Sequence, residues 1–128
     1  PAATDADLVS VTLADVTGEG RAELFFRIRQ TIGDVRREVL VVHHFTPTAF
    51  PDLLTREVAR EQGSNRLANE VVTSGGALVI RPGTATGWSA TSWPWSDETG
   101  SDGVEPPLLP WRDAARTYRY SSERLVSP

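Results

Sequence analysis

Residues 9 to 28 read Val9-Ser10-Val11-Thr12-Leu13-Ala14-Asp15-Val16-Thr17-Gly18-Glu19-Gly20-Arg21-Ala22-Glu23-Leu24-Phe25-Phe26-Arg27-Ile28. Val9, Val11 and Leu13 alternate on the way in, and Leu24, Phe26 and Ile28 on the way out. That period of two belongs to strands and not to helices. The acidic, glycine-punctuated segment between them joins the two strands. Oxygen-bearing side chains stand at its first, third, fifth and ninth positions: Asp15, Thr17, Glu19 and Glu23, with Arg21 between the last two. A tight loop with this spacing turns several oxygens onto one centre, which a hard cation such as calcium requires. The candidate metal site is therefore Asp15, Thr17, Glu19, Arg21 and Glu23. The competing reading is a plain turn whose Asp15 side chain caps its own backbone.

Strand signals continue outward from this hairpin. Strand one covers about residues 7 to 14, after a flexible lead over residues 1 to 6, and strand two about 22 to 31. Gly33-Asp34 marks a turn, and a third strand follows over about 36 to 45. Its Val39-Leu40-Val41-Val42 run is apolar on both faces, so it is a central, covered strand. Phe50 to Glu61 fits either a helix opened by Pro51-Asp52 or an edge strand, and the surrounding strands favour the latter. Residues 67 to 72 alternate, Ser74-Gly75-Gly76 is a hairpin signal, and Ala77 to Arg81 is the partner strand, ended by Pro82-Gly83. Gly87 to Ser92 is a candidate short strand. Pro94 to Pro110 reads as a long surface loop, and residues 116 to 126 as a closing hairpin. The expectation is one mainly β domain over residues 7 to 128, an antiparallel sandwich or partial propeller-like blades built from hairpins.

Composition sets the outer bounds. The chain has 128 residues, 39% hydrophobic and 23% charged, enough for one ordinary core. A net charge of −4 gives no general attraction to phosphate backbones, so nucleic acid is not an expected partner. With no Cys, disulfides and thiolate chemistry are excluded. All thirteen basic residues are Arg, which excludes lysine Schiff bases and matches the codon bias of a GC-rich bacterial genome. No apolar run approaches the ~20 residues of a membrane span. Without any Met, a processed or excised segment is expected. Pro1-Ala2-Ala3-Thr4 suits the small-residue linker behind a signal peptide or lipoprotein anchor. The expected location is the periplasm, the outer membrane or the cell exterior.

Asp15 to Phe25 resembles the FG-GAP or VCBS type of repeat found in integrin α chains and many secreted bacterial proteins. Asp15 matches the first ligand position of that repeat's calcium loop, and Gly20 its glycine. Thr17, Glu19 and Glu23 replace the expected Asp or Asn, which lengthens two ligands and neutralises one. The closing segment, Thr117 to Tyr120 with Leu125-Val126, is similar to a hairpin common in bacterial envelope proteins carrying such loops. The resemblance implies blade-like hairpins, calcium at the loop and an interaction or adhesion role. Only one copy of the loop is present, whereas a propeller repeats the unit.

Two other groups invite a site. Trp88, Trp93, Trp95 and Trp111 are candidate ligand-binding residues, as sugar-stacking faces or as a protein contact. The competing reading is that they plug one end of the domain. His43 and His44 are adjacent on a strand, so they point to opposite faces and cannot share one metal. No nucleophile elbow, metalloprotease helix, phosphate loop or dinucleotide fingerprint occurs. The Arg-rich strands read as a solvated face that blunts edge pairing. The expected function is a non-catalytic protein–protein interaction or adhesion module of the bacterial envelope, its partner another envelope or surface protein. Alternatives are a polysaccharide-binding module using the Trp cluster and a hydrolase using His43 or His44.

Overall fold

Alternating apolar residues make the strands, and glycine-bearing turns reverse the chain between them. The computed structural model describes residues 4–15, 23–44, 52–74, 76–95, 104–121 and 124–126. Eight strands follow one another: β1 (Thr4–Ala14), β2 (Glu23–Ile32), β3 (Val35–His43), β4 (Asp52–Gln62), β5 (Asn65–Ser74), β6 (Ala77–Thr86), β7 (Arg116–Ser121) and β8 (Arg124–Val126). Each pairs antiparallel with the next, so sheet order equals chain order and no connection crosses over. The hairpin-built, antiparallel β class expected from the sequence is what forms.

Several boundaries differ from the sequence reading. β1 begins at Thr4, with Thr4, Asp5 and Ala6 paired to Ile32, Thr31 and Gln30, so part of the expected lead is strand. Residues 52 to 62 form the strand that the sequence reading favours, but not at an edge, since β4 pairs with β3 on one side and β5 on the other. β6 runs through Pro82-Gly83 to Thr86. A bulge at Pro82-Gly83 absorbs the irregularity: these two residues of β6 stand across from Asn69 alone, between the Ala68–Thr84 and Glu70–Arg81 pairs. Gly83 sits there at φ +70°, and a Cβ on it would lie 1.9 Å from the Ala68 carbonyl oxygen, so only glycine fits. Gly87 to Ser92 is a turn region and not a strand.

The sheet folds over at one hinge. β4 and β5 pair only between Ala59–Gln62 and Asn65–Ala68, and their remaining halves part. The segment from Val104 to Leu109 enters the gap. The Glu57 N–H donates to the Glu105 carbonyl at 2.9 Å. Asn69 then ties both backbone groups of Leu108: its Nδ2 donates to the Leu108 carbonyl at 2.8 Å, and its Oδ1 accepts from the Leu108 N–H at 2.9 Å. The same Nδ2 donates to the Pro82 carbonyl at 2.8 Å. Folding brings Phe25, Leu40, Val42, Leu54 and Val58 of β2–β4 against Leu78, Ile80, Tyr118 and Leu125 of β6–β8, with Leu108 among them. Each such burial is worth about 1.5–3 kcal/mol.

The opposite face of β1–β3 is also apolar. Register sets Val11 beside Phe26 and Val41, and Leu13 beside Leu24. Leu24, Phe26, Ile28 and Val41 are half-buried there. β3 is central and covered on its core face, as its apolar run requires, while Val41 on the other face remains partly open.

Candidate functional site

The acidic loop contributes two described residues, Asp15 at the end of β1 and Glu23 at the start of β2. Thr17, Glu19 and Arg21 lie outside the described residues. Glu23 shares the parity of Phe25, so it points into the core and is 0% exposed. Its Oε2 lies 2.9 Å from Nδ1 of His44, itself buried. The His44 ring sits 5.7 Å from that of Tyr120. The ninth-position carboxylate is thus engaged by a histidine inside the fold. Among the described residues, no three His, Asp or Glu side chains gather as a metal site. His43 takes the other face, edge-on to Phe26 at 5.3 Å, so the two histidines are separated by the sheet as strand geometry demands.

The four tryptophans do come together. Trp88 packs against Trp93 and Trp95 at 5.0 and 5.3 Å, Trp93 meets Trp95 at 4.9 Å, and Trp111 joins Trp93 at 5.7 Å, all edge to face. They close over Leu67 and Leu109. Trp88 is buried and the others half-buried. The rings spend their faces on one another, the arrangement of a plug. The Arg60 guanidinium lies 4.6 Å from the Trp95 ring centroid and 5.3 Å from that of Trp93. It also donates two hydrogen bonds to the buried Glu57, at 2.5 and 2.6 Å. Sequence spacing alone does not reveal this pair. Residues three apart on a strand face opposite ways, but a bulge at Val58 returns Glu57 and Arg60 to one face, with Glu57 opposite Val39 and Ala59 opposite Glu38.

Arg56 faces the core beside Leu40. It is buried, it donates to the Tyr118 hydroxyl at 3.3 Å, and its Nε has no hydrogen-bond partner. Burial pulls its pKa below the usual guanidinium value, opposed by Tyr118 and Glu105 and reinforced by Arg116.

The remaining feature is the edge of β1, which among the described residues pairs with β2 alone. Four of its large side chains are open to solvent: Leu8 60%, Val9 42%, Val11 45% and Leu13 64% exposed. Beside it lies a cleft of about 310 Å³. Phe25, Leu40 and Val71 give it apolar walls, Ser10, Thr12 and Thr73 line it with hydroxyls, and Arg27 adds one cation. Ser10 and Thr12 pair with Arg27 and Phe25, so they stand on the core face, across from Val71 and Thr73 of β5. A second groove, near the β2–β3 and β4–β5 turns, is lined by Arg29, Arg36, Arg66, Glu38 and Glu61. Its arginines are spread over those two carboxylates at 3.3 to 3.9 Å, and β1 sets Asp7 opposite Arg29. It is a solvated charge ladder of the kind expected for this face.

Among the described residues, no helix is long and apolar enough to cross a membrane, which says nothing of strands. Comparison with protein-family models, with curated proteins and with solved structures yields no match.

Proposed function

We propose that this domain is a non-catalytic interaction module of the bacterial cell envelope or surface, and that it recruits another protein through the free edge of β1. The observation that carries this reading is the exposure of Leu8, Val9, Val11 and Leu13 on a strand that, among the described residues, is paired on one side alone. Solitary soluble domains blunt such edges with charge or cover, and large exposed apolar patches mark contact sites. Recognition outranks catalysis here because, among the described residues, the histidine–carboxylate pair of His44 with Glu23 is buried. Protein outranks polysaccharide because the tryptophan rings are occupied by one another.

A photo-crosslinking amino acid at Val11, in the full-length parent protein in its native cell, tests the proposal. A discrete crosslinked polypeptide from position 11, absent when the probe replaces the exposed loop residue Ala90, is expected. No crosslink, or the same crosslinks from both positions, would end the reading.

Calcium at the loop belongs to the same proposal, as a brace for the β1–β2 connection. With Glu23 turned to His44, the ligands fall to Asp15, Thr17 and Glu19 together with loop carbonyls. A ligand at a hundredfold excess over its dissociation constant adds about 2.7 kcal/mol. The expected calcium-dependent rise in Tm disappears in Asp15→Ala, and an unchanged Tm at millimolar calcium would reduce the loop to a plain turn.

A further inference from the structure

We infer that the cleft between β1 and β5 is a binding site for a small amphiphilic carboxylate, an acid group on a short acyl or arylalkyl body. The inference goes beyond the interaction reading and is independent of it, since the ligand lies between the sheets and not along the β1 edge. The sequence leaves the space. β1 turns Ser10, Thr12 and Ala14 to the core face, opposite Arg27, Phe25 and Glu23. These short side chains do not fill the distance to Val71 and Thr73 of β5, and a cleft of about 310 Å³ remains. Its floor is at core depth: Phe25 and Leu40 line it while being 4% and 1% exposed. Its mouth is polar, with Thr12 and Thr73 exposed and Ser10 half-buried. Protein interiors close-pack, with few voids larger than a water. A cavity of ~150 Å³ walled by aliphatic and aromatic side chains takes up benzene, so this one has room for roughly twelve non-hydrogen atoms.

Charge selects the head group. Among the described lining residues, Arg27 alone is charged. It is half-buried and reaches Glu38 through Nη1 at 3.4 Å, and Glu38 also draws Arg29 at 3.9 Å. One carboxylate shared loosely by two guanidiniums leaves N–H donors of Arg27 for a second oxyanion. The planar guanidinium takes a carboxylate bidentately. A neutral hydrocarbon would bury that cation without an answering charge, and a polyol would set its hydroxyls against Phe25, Leu40 and Val71. An apolar body with a single acid group satisfies both walls.

The test titrates phenylbutyrate, its neutral amide phenylbutyramide, and butyrate into the isotope-labelled chain. Phenylbutyrate is expected to bind at millimolar concentration or below, shifting the methyl resonances of Leu40, Val71 and Thr73 and the Nε–H of Arg27. Butyrate, which lacks the ring, should bind more weakly than phenylbutyrate. The amide should bind about tenfold more weakly than the acid, the difference between a charge-assisted hydrogen bond and a neutral one. Arg27→Gln should lower the acid to the level of the amide and leave the amide unchanged. Val71→Phe and Ser10→Leu fill the cleft from opposite sides, so each should exclude both ligands, with unmoved resonances of the tryptophan cluster showing that the fold is kept. Equal affinity for acid and amide, or acid binding undiminished by Arg27→Gln, would overturn the carboxylate assignment. Shifts confined to other parts of the chain, binding retained by both filled variants, or no shift at millimolar ligand would overturn the site itself. A Val11 crosslink tests the β1 edge alone and rescues none of these.

Discussion

Asn69 gathers several buried hydrogen bonds on one side chain, so a single substitution there tests how the fold is held. Its carboxamide makes three hydrogen bonds at 2.8 to 2.9 Å, to the Pro82 carbonyl and to both backbone groups of Leu108. Asn69→Ala strands a buried N–H and leaves two carbonyls short of a donor. An unsatisfied buried group costs about 1–3 kcal/mol, and carbonyls sit at the low end because each has a second lone pair. The sum is about 3–5 kcal/mol, against a total stability of about 5–15 kcal/mol. At about 4 °C per kcal/mol for a domain of this size, Tm should fall by roughly 12–20 °C. Urea denaturation gives the free energy, and amide exchange at Leu108 shows whether the inserted segment detaches first. Asn69→Asp adds a check with a definite sign. It keeps the acceptor for the Leu108 N–H but turns a carboxylate toward two carbonyl oxygens, so its folded pKa rises above the unfolded value of about 3.9. That variant should be most stable below pH 4 and lose stability as pH climbs through the folded value. A cost below about 1 kcal/mol for Asn69→Ala, with Leu108 still protected, would refute the claim that Asn69 pins the segment.

Arg60→Met removes the bidentate partner of buried Glu57 and leaves only Arg37 at 3.7 Å. A loss of about 3–5 kcal/mol and a red-shifted tryptophan emission should follow. Arg56 runs the other way. Because its Nε is unpartnered, Arg56→Met combined with Tyr118→Phe should be neutral or raise Tm, whereas Tyr118→Phe alone should cost about 1–3 kcal/mol by stranding the guanidinium. Asp113 sets a pH dependence. Burial pushes its carboxyl up, but the Arg112 hydrogen bond, the Leu109 N–H and the nearby charges of Arg112 and Arg116 together hold it below the ordinary carboxylate range. Its contribution is therefore complete above about pH 4 and lost as pH falls through the lower folded value. The turn bearing Trp111 should loosen in acid, as read by fluorescence, and Asp113→Asn should abolish that transition.

Local pattern determined much of this architecture. The alternation in Val9 to Leu13 and in Leu24 to Ile28, and the turns at Gly33-Asp34 and Gln62 to Asn65, place each hairpin where it forms, because strand parity and turn chemistry act between near neighbours. The closing hairpin of β7 and β8 was legible for the same reason. The separation of His43 from His44 needed nothing beyond the strand period. Parity also bears on Glu23, two residues before Phe25. Reading it by loop position sets it toward a cation, whereas reading it by strand period sets it in the core.

Only the tertiary structure decided which partners those side chains meet. His44 reaches Glu23 because β3 returns beside β2, and no local pattern names a residue so far away. The Glu57–Arg60 pair depends on a bulge, a slip of one residue that reverses facing and leaves no mark in composition. The parting of β4 from β5, the entry of Val104 to Leu109 between them, and the bond network of Asn69 exist together or not at all. The exposed edge of β1 belongs with them. Its apolar residues look like core in the chain, and they stay at the surface because, among the described residues, the folded sheet supplies a neighbour on one side alone. Alternation is a property of a strand by itself, whereas burial depends on what the rest of the chain brings against it.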